Sequence, residues 1–327
     1  MSDAGEPAAP GSLYRHAQGG SVDCSGQGMH AHRHILRFTL AFAAAALATA
    51  ADATAQAATQ IPVKASAAFE QVPGAGGGTY FAWSRGPARL LLQPGPGQPA
   101  IQVNGSRSAA WAGSIDATTL VYQQARNGSS DIKLFDVVTH QRSIPAGINT
   151  PNWEWHPTIS GDWILFGRRT FSKNRSRVLL HNTSTHATIT LGDVQGRNAV
   201  AHPGQVSGNW AVWDQCAHHV CSVYRYDIAG DVKTKVPNTL TGKQQYFPSV
   251  TSAGTVYFAH SGSGCGQNVR LVEWVPGTTT VLVSFHAGRD LFSTTQTVPD
   301  QVAGTDVYYD RYACRANASD IYKVVVA

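Results

Sequence analysis

The sequence predicts an all-β fold assembled from six copies of one four-stranded unit. Three observations predict it: a short apolar strand with a terminal aromatic residue recurs, polar turns separate the strands, and charged residues make up only 14% of the chain. The recurring aromatic residues, spaced by 39, 44, 47, 45 and 51 positions, are Trp83, Tyr122, Phe166, Trp213, Phe258 and Tyr309. Four short strands in every 40–50 residues are typical of β-propeller blades. We therefore predict a six-bladed β-propeller of four-stranded antiparallel blades.

The other strands of each unit also recur. The strand after the aromatic residue has an apolar or β-branched centre, at residues 90–92, Ile132, Val178, Val223, Val269 and Ile321. A further strand precedes the turn of each unit, as at residues 156–160, 202–207 and 247–252. A fourth strand closes the unit, as at residues 187–191 and 279–284. A sandwich or solenoid of the same hairpins is the alternative. Radial stacking is favoured because it covers both faces of every unit, and each aromatic residue buried between units contributes about 1.5–3 kcal/mol.

The last unit is one strand short. The chain reaches Ala327 after the third strand of this unit, whereas residues 59–65 form an apolar segment ahead of the first unit. We expect this N-terminal segment to supply the outer strand of the last blade. That pairing closes the ring and removes an exposed sheet edge.

Residues 1–57 have the features of an export signal. A basic run at 30–37 precedes an apolar stretch of 14 residues at 38–51, and Ala55-Gln56-Ala57 matches an A-x-A cleavage site. We predict an upstream extension over 1–28, a signal peptide over 29–57 with Met29 as the true start, and a propeller over 58–327. The apolar stretch is short for a membrane span, although a membrane anchor or buried helix is the alternative. The mature protein is expected to be secreted or to reside in the periplasm or cell envelope.

The cysteines of the mature part fit an oxidising compartment. They are Cys216, Cys221, Cys265 and Cys314. An even number in an exported chain predicts two disulfides, Cys216–Cys221 and Cys265–Cys314. Cys216 and Cys221 enclose His218 and His219, so a metal site or free thiols are the alternatives. The disulfide is favoured because both cysteines flank one hairpin loop, and we expect no metal and no cofactor.

A resemblance to a known family follows from the turn motif. Residues 157–163 read Pro-x-Ile-Ser-Gly-Asp-Trp, and residues 206–210 repeat its end as Val-Ser-Gly-Asn-Trp. This pattern, followed by an aromatic-ended strand, resembles the TolB-like six-bladed propellers and the propeller repeats attached to prolyl peptidases. The resemblance covers residues 58–327 and implies the propeller fold alone, without the N-terminal α/β domain of the TolB family.

The candidate site lies where loops converge. In a propeller, the loops before the inner strands share a face with the loops between second and third strands, and loops on a rigid scaffold commonly bind ligands. His156 and His202 each precede Pro, as if they began equivalent strands, with Phe247 as the third copy. The candidate binding residues on this channel-mouth face are Trp153, Glu154, Trp155, His156, Arg168, His202, Asp214, His218, His219, His260, Asp290, Asp310 and Arg311.

Several motifs are absent from the sequence. There is no G-x-S-x-G elbow, dinucleotide fingerprint, P-loop or Ca²⁺ loop. The formal net charge is +5, with basic residues scattered along the chain, which disfavours nucleic-acid binding. We predict a monomeric, non-catalytic binding or scaffold propeller without a membrane span, which recognises a protein or glycan partner. The alternative is a carbohydrate-active enzyme, a polysaccharide lyase or glycosidase, that uses His156 or His202.

Overall fold

The structure is a computed structural model. It describes residues 59–64, 71–73, 79–86, 89–105, 108–126, 128–218, 220–240, 244–261, 269–285, 290–299, 305–313 and 319–326. These residues belong to one compact unit spanning 55–327 and form strands and one 3-10 turn at Phe171–Lys173. The prediction of an all-β fold is therefore confirmed. The predicted upstream extension, the signal peptide and the Cys265–Cys314 disulfide lie outside the described residues. Among the described residues, no helix has the length and apolarity needed to cross a membrane.

The strands pair in antiparallel groups of four, called repeats here. Repeat 1 contains β2 (Gln71–Pro73), β3 (Phe81–Arg85), β4 (Arg89–Gln93) and β5 (Ile101–Gln102). Repeat 2 contains β6 (Ala110–Asp116), β7 (Thr119–Arg126), β8 (Ser129–Asp136) and β9 (Arg142–Ser143). Repeat 3 contains β10 (Trp153–Ser160), β11 (Trp163–Thr170), β12 (Arg175–Asn182) and β13 (Thr188–Gln195).

The remaining strands follow the same order. Repeat 4 contains β14 (Ala199–Ser207), β15 (Trp210–Ala217), β16 (Val220–Asp227) and β17 (Val232–Lys235). Repeat 5 contains β18 (Gln244–Val250), β19 (Val256–Ser261), β20 (Val269–Val275) and β21 (Thr278–Phe285). Repeat 6 contains β22 (Asp290–Pro299), β23 (Thr305–Ala313), β24 (Ser319–Val326) and, from the other end of the chain, β1 (Gln60–Lys64).

Strand β1 is the outer strand of repeat 6. It pairs antiparallel with β24, with Gln60 opposite Val324. The hydroxyl of Tyr309 on β23 donates a hydrogen bond of 2.7 Å to Oε1 of Gln60. Residues 249 positions apart in the sequence are thereby brought into one sheet.

The recurring aromatic residues are buried, as predicted. Their exposed fractions are 5% for Trp83, 1% for Tyr122, 1% for Phe166, 0% for Trp213, 1% for Phe258 and 0% for Tyr309. Trp213 of repeat 4 packs in one cluster with Leu165 and Val178 of repeat 3. Phe166 of repeat 3 likewise packs with Val121 and Ile132 of repeat 2. Each of these aromatic side chains therefore fills the space between its own repeat and the preceding one.

The first strands of neighbouring repeats approach closely at their β-bulges. A Cβ on Gly113 of β6 would lie 2.1 Å from the carbonyl oxygen of Pro157 on β10. A Cβ on Gly204 of β14 would lie 2.2 Å from the carbonyl oxygen of Pro248 on β18. Only glycine fits at these two positions, because the atom that a side chain would meet is backbone.

Short polar side chains connect the same strands. Ser114 Oγ of β6 accepts a hydrogen bond of 2.7 Å from the Ile159 N–H of β10. Thr158 Oγ1 of β10 accepts one of 3.1 Å from the Val206 N–H of β14. Each bond joins a backbone donor of one first strand to a side chain on the first strand of the preceding repeat. They fix the relative height of the first strands and hence of the side chains that these strands carry.

Candidate functional site

Four ring-bearing side chains occupy the same register on four consecutive first strands. The second strand of each repeat carries the buried aromatic residue, and the ring-bearing residue pairs with the residue immediately after it. The pairs are Trp111 opposite Gln123, Trp155 opposite Gly167, His202 opposite Asp214, and Tyr246 opposite Ala259. All four rings belong to partly exposed residues. We call Trp111, Trp155, His202 and Tyr246 the ring row.

Ring contacts continue across three of these strands. The rings of Trp155 and His202 meet edge to face with centroids 5.2 Å apart. His202 lies 5.9 Å from Phe247, and Phe247 lies 5.1 Å from Tyr246. At the other end, the ring of His156 lies 5.1 Å from that of Trp155. Partly exposed rings from β10, β14 and β18 therefore form one continuous surface.

Trp155 depends on a glycine behind it. A Cβ on Gly167 would lie 2.1 Å from Nε1 of Trp155 and 2.6 Å from Cδ1, so the indole rests against the backbone of β11. Nε1 of Trp155 has no hydrogen-bond partner among the described residues. A buried indole N–H without a partner is costly.

Asp214 is the centre of the site. Its side chain has no exposed surface, and Oδ1 lies 2.7 Å from Nδ1 of His202. Oδ2 accepts a hydrogen bond of 2.9 Å from the N–H of Phe247 in the next repeat. Since an ionised carboxylate only accepts hydrogen bonds, Nδ1 of His202 carries the proton. Asp214 thereby orients the His202 ring and links repeats 4 and 5.

His156 occupies a strained position beside the ring row. Its backbone is left-handed, with φ of 46°, and its N–H points at Oε1 of Gln123 at 3.4 Å. Burial, and to a smaller extent repulsion from His202, lowers the pKa of His156 to about 3. The ring is therefore neutral at ordinary pH. Phe247, with φ of 52°, has the equivalent place on β18.

The register corrects the alignment suggested by the His-Pro pairs. Trp155 lies opposite Gly167 and His202 opposite Asp214, so His202 is the counterpart of Trp155. His156 is one residue further along and is the counterpart of Pro203. The two histidines consequently stand at neighbouring positions of adjacent repeats rather than at equivalent ones.

Glu154 and Arg168 form an internal ion pair. Arg168 Nε donates to Glu154 Oε1 at 2.8 Å, and Thr150 Oγ1 donates to the same oxygen at 2.6 Å. Glu154 has no exposed surface, and burial raises the pKa of its carboxyl despite these hydrogen bonds. Arg168 also donates to the carbonyl of Ile148. Both charged groups are thus committed to partners within the protein.

The predicted Cys216–Cys221 disulfide is present. It joins directly opposed residues of β15 and β16, with Cα atoms 4.0 Å apart. His218 is exposed in the connecting hairpin and has a left-handed backbone, with φ of 50°. The disulfide, which the sequence analysis favoured over a metal site, engages both thiols.

The other predicted residues are dispersed. His260 is buried, its Nε2 lies 3.1 Å from Oδ1 of Asn238, and burial lowers its pKa. Asp310 is fully buried. Trp153 is partly exposed and contacts the exposed ring of Phe171, with centroids 6.2 Å apart. His219 and the side chains of Asp290 and Arg311 lie outside the described part of the chain.

Sequence reasoning missed several members of the site. Trp111 and Tyr246 belong to the ring row, Phe247 contacts Tyr246, and Gly167 permits the position of Trp155. These residues could have been found by aligning the repeats on the turn that follows each first strand. Counted back from that turn, Trp111, Trp155, His202 and Tyr246 fall at one position.

Comparisons with known proteins bear on the fold. No protein-family model matches the sequence, and no curated protein matches it either. A solved structure of luciferin-regenerating enzyme is 9% identical, with a TM-score of 0.52, and the match covers 82% of this chain and 95% of that one. TolB from Acinetobacter baumannii is 14% identical, with a TM-score of 0.46 and 81% of this chain covered. The β-propeller domain of the Trilobed protease from Pyrococcus furiosus is 12% identical, with a TM-score of 0.47, and covers 80% of this chain and 94% of that one.

These likenesses concern the fold alone. Structures of TolB and of a protease β-propeller domain are thus among those similar to this chain. The chain spans 65% of the TolB chain and 39% of the chain of oligopeptidase B from Trypanosoma brucei, another similar structure. Any activity or partner must therefore be argued from the site itself.

Proposed function

We propose that this protein is an exported, six-bladed, monomeric β-propeller that binds a glycan through the ring row without catalysing a reaction. The pairing of β1 with β24 supports closure of the ring by the N-terminal strand. The Cys216–Cys221 disulfide supports export, because disulfides persist in oxidising compartments. The ring row carries the functional part of the proposal.

The ring surface suits a sugar ligand. Aromatic faces bind the apolar C–H faces of sugar rings, and here several partly exposed rings adjoin one another along three strands. Gly167 and Asp214 hold Trp155 and His202 in place before any ligand arrives. Such preorganisation reduces the entropic cost of binding. The same surface could instead bind a protein, and the binding test below distinguishes a protein ligand from a glycan.

The carboxylates argue against a glycosidase. Glycoside hydrolysis ordinarily uses two carboxyl groups that flank the scissile bond. Among the described candidates, Glu154, Asp214 and Asp310 have no exposed surface. Glu154 and Asp214 also have their oxygens engaged by Arg168 and His202. Buried carboxylates with partners inside the protein are poorly placed to act on a substrate, and Asp214 instead orients His202.

A polysaccharide lyase is the second candidate. A His whose Nδ1–H is held by a buried carboxylate presents Nε2 as a proton acceptor, which is the arrangement of a general base. The 2.7 Å contact of His202 with Asp214 has this form. A lyase would remove a proton next to a uronate carboxyl group and release an unsaturated product.

One set of experiments separates these functions. Purified residues 58–327 are applied to a glycan array, and the Kd of each binding glycan is measured by calorimetry. Trp155→Ala is expected to weaken binding by about 10-fold or more, since aromatic anchors dominate binding energy. Trp163→Ala, which removes a partly exposed indole from the turn end of β11, is the matched control and should bind as the wild type does.

The outcomes are distinct. Loss of binding in Trp155→Ala alone supports the ring row as the site. Binding of proteins but of no glycan overturns the glycan assignment. Accumulation of unsaturated products, followed by the far-ultraviolet absorbance of the conjugated double bond and abolished by His202→Ala, would establish the lyase in place of the non-catalytic function.

A further inference from the structure

We propose that His202, Asp214 and Cys216 form a zinc site that becomes available when the Cys216–Cys221 disulfide is reduced. This proposal goes beyond glycan binding and does not rest on it. It assigns a second, redox-controlled ligand to the region beneath the ring row.

The three donor groups already lie together. Nδ1 of His202, a carboxylate oxygen of Asp214 and Sγ of Cys216 are all within 4.8 Å of one another. Nδ1 and Sγ lie 2.7 Å and 3.4 Å, respectively, from the same oxygen, Oδ1. In a tetrahedral zinc site with Zn–N and Zn–O near 2.0–2.1 Å and Zn–S near 2.3 Å, donors are separated by about 3.3–3.8 Å. Small side-chain rotations on two adjacent strands are enough to reach that spacing.

The strand register explains why these residues converge. His202 lies directly opposite Asp214 on β14 and β15, and Cys216 follows Asp214 by two residues. Residues two apart in a strand point to the same face. All three side chains therefore face repeat 5, where the Phe247 N–H binds the other carboxylate oxygen and keeps Asp214 in place.

The charges at the site favour a cation after reduction. Sγ is neutral while it is part of the disulfide and is a poor ligand. A thiolate at Cys216 would lie beside the fully buried carboxylate of Asp214, and two adjacent anions in a buried site repel strongly. A divalent cation offsets both charges. A set of Cys, His and Asp donors is one that Zn²⁺ prefers, and the His202 side chain, 13% exposed, gives access to it.

The chemistry balances with a dithiol reductant. Two electrons and two protons from the dithiol convert the disulfide into two thiols, and the reductant becomes a disulfide itself. Binding of Zn²⁺ then displaces the proton of the Cys216 thiol. His202 binds the metal through Nδ1, so the proton that Nδ1 carries moves to Nε2.

Two matched variants test the proposal. Cys221→Ser leaves a free Cys216, whereas Cys216→Ser leaves a free Cys221, and both lack the disulfide. Each protein is titrated with ZnCl₂ by calorimetry in the absence of reductant and glycan. Co²⁺ provides a second readout, because a cobalt–thiolate bond gives a charge-transfer band in the near ultraviolet. Circular dichroism reports whether each variant is folded.

We expect Cys221→Ser to bind one Zn²⁺ and to show the cobalt band, and Cys216→Ser to do neither. Addition of Asp214→Asn to Cys221→Ser should weaken zinc binding by about 10- to 100-fold. Equal binding by both cysteine variants, or binding by neither when folded, overturns the proposal.

The wild-type protein covers the case in which the variants do not fold. It is reduced with a dithiol and desalted under argon before titration with ZnCl₂. Binding by the reduced protein but not by the oxidised protein supports the site, and no binding by the reduced protein overturns it. Glycan binding is measured on the oxidised protein without metal, so failure of either proposal leaves the other standing.

Discussion

Nδ1 of His202 lies 2.7 Å from Oδ1 of Asp214, a carboxylate with no exposed surface. The same carboxylate accepts the N–H of Phe247 at 2.9 Å, so one side chain orients a ring of repeat 4 and fixes the backbone of repeat 5. Burial of a charge is tolerated only when partners compensate it. The pair therefore connects stability of the interface between these repeats to the geometry of the ring row.

Replacement of Asp214 is the direct test of this connection. Asp214→Asn keeps the shape but removes the charge and leaves one donor unsatisfied, so we expect a loss of about 2–3 kcal/mol in the free energy of unfolding. Urea denaturation measures it. Asp193→Asn is the control, because Asp193 pairs with Arg175 at the surface and should cost below about 1 kcal/mol. Equal losses in the two variants would show that Asp214 has no special role.

The close approach of first strands gives a second prediction. Gly204→Ala places a Cβ where the carbonyl oxygen of Pro248 would be 2.2 Å away, so β14 and β18 must separate. We expect a loss of about 2 kcal/mol or more. Gly105→Ala is the control, because nothing lies within 4 Å of its Cβ, and it should change stability by about 0.5 kcal/mol at most. Urea midpoints of both variants provide the comparison, and a neutral Gly204→Ala would refute this packing.

The repeat architecture could be predicted because its signals are local. An aromatic residue at the end of a strand and a Gly-containing turn before that strand are visible in any one repeat. Trp213 and Phe166 are accordingly buried between repeats. The Cys216–Cys221 disulfide was also predictable, since both cysteines flank one hairpin.

The partners within the site could not be predicted, because they depend on strand register. The His-Pro pairs suggest an offset of 46 residues between repeats 3 and 4, whereas the turns that follow Ser160 and Ser207 are 47 residues apart. That difference of one residue decides whether His156 or Trp155 corresponds to His202. The β-bulges on β10 and β14 begin at different positions of their pairing with the second strands, and no residue type in the sequence indicates where a bulge begins.

Removal of β1 tests closure of the ring. Deletion of residues 58–66 exposes the edge of β24 and removes the acceptor of the Tyr309 hydroxyl. We expect the Tm to fall by roughly 5–10 °C, measured by differential scanning fluorimetry. Tyr309→Phe removes the hydrogen bond to Gln60 and should cost about 1 kcal/mol. An unchanged Tm after the deletion would be incompatible with closure by β1.

The neutral His156 predicts how stability depends on pH. In the folded protein its pKa is lowered to about 3, mainly by burial, whereas the unfolded chain has the ordinary value of 6.5. Between these values only the unfolded chain takes up a proton, so the free energy of unfolding falls as the pH falls below 6.5. A difference of one bound proton corresponds to about 1.4 kcal/mol per pH unit, so we expect a slope of at most this size below pH 6.5.

His156→Asn removes this dependence, because Asn does not titrate and tolerates the left-handed backbone. Urea denaturation of both proteins from pH 7 to pH 4 should therefore show the wild type losing stability faster than the variant. His140→Asn is the matched control: His140 also has a left-handed backbone, with φ of 60°, but its side chain is exposed, so this variant should follow the wild type. Parallel curves for His156→Asn and the wild type would mean that the ring of His156 takes up its proton as freely in the folded protein as in the unfolded chain.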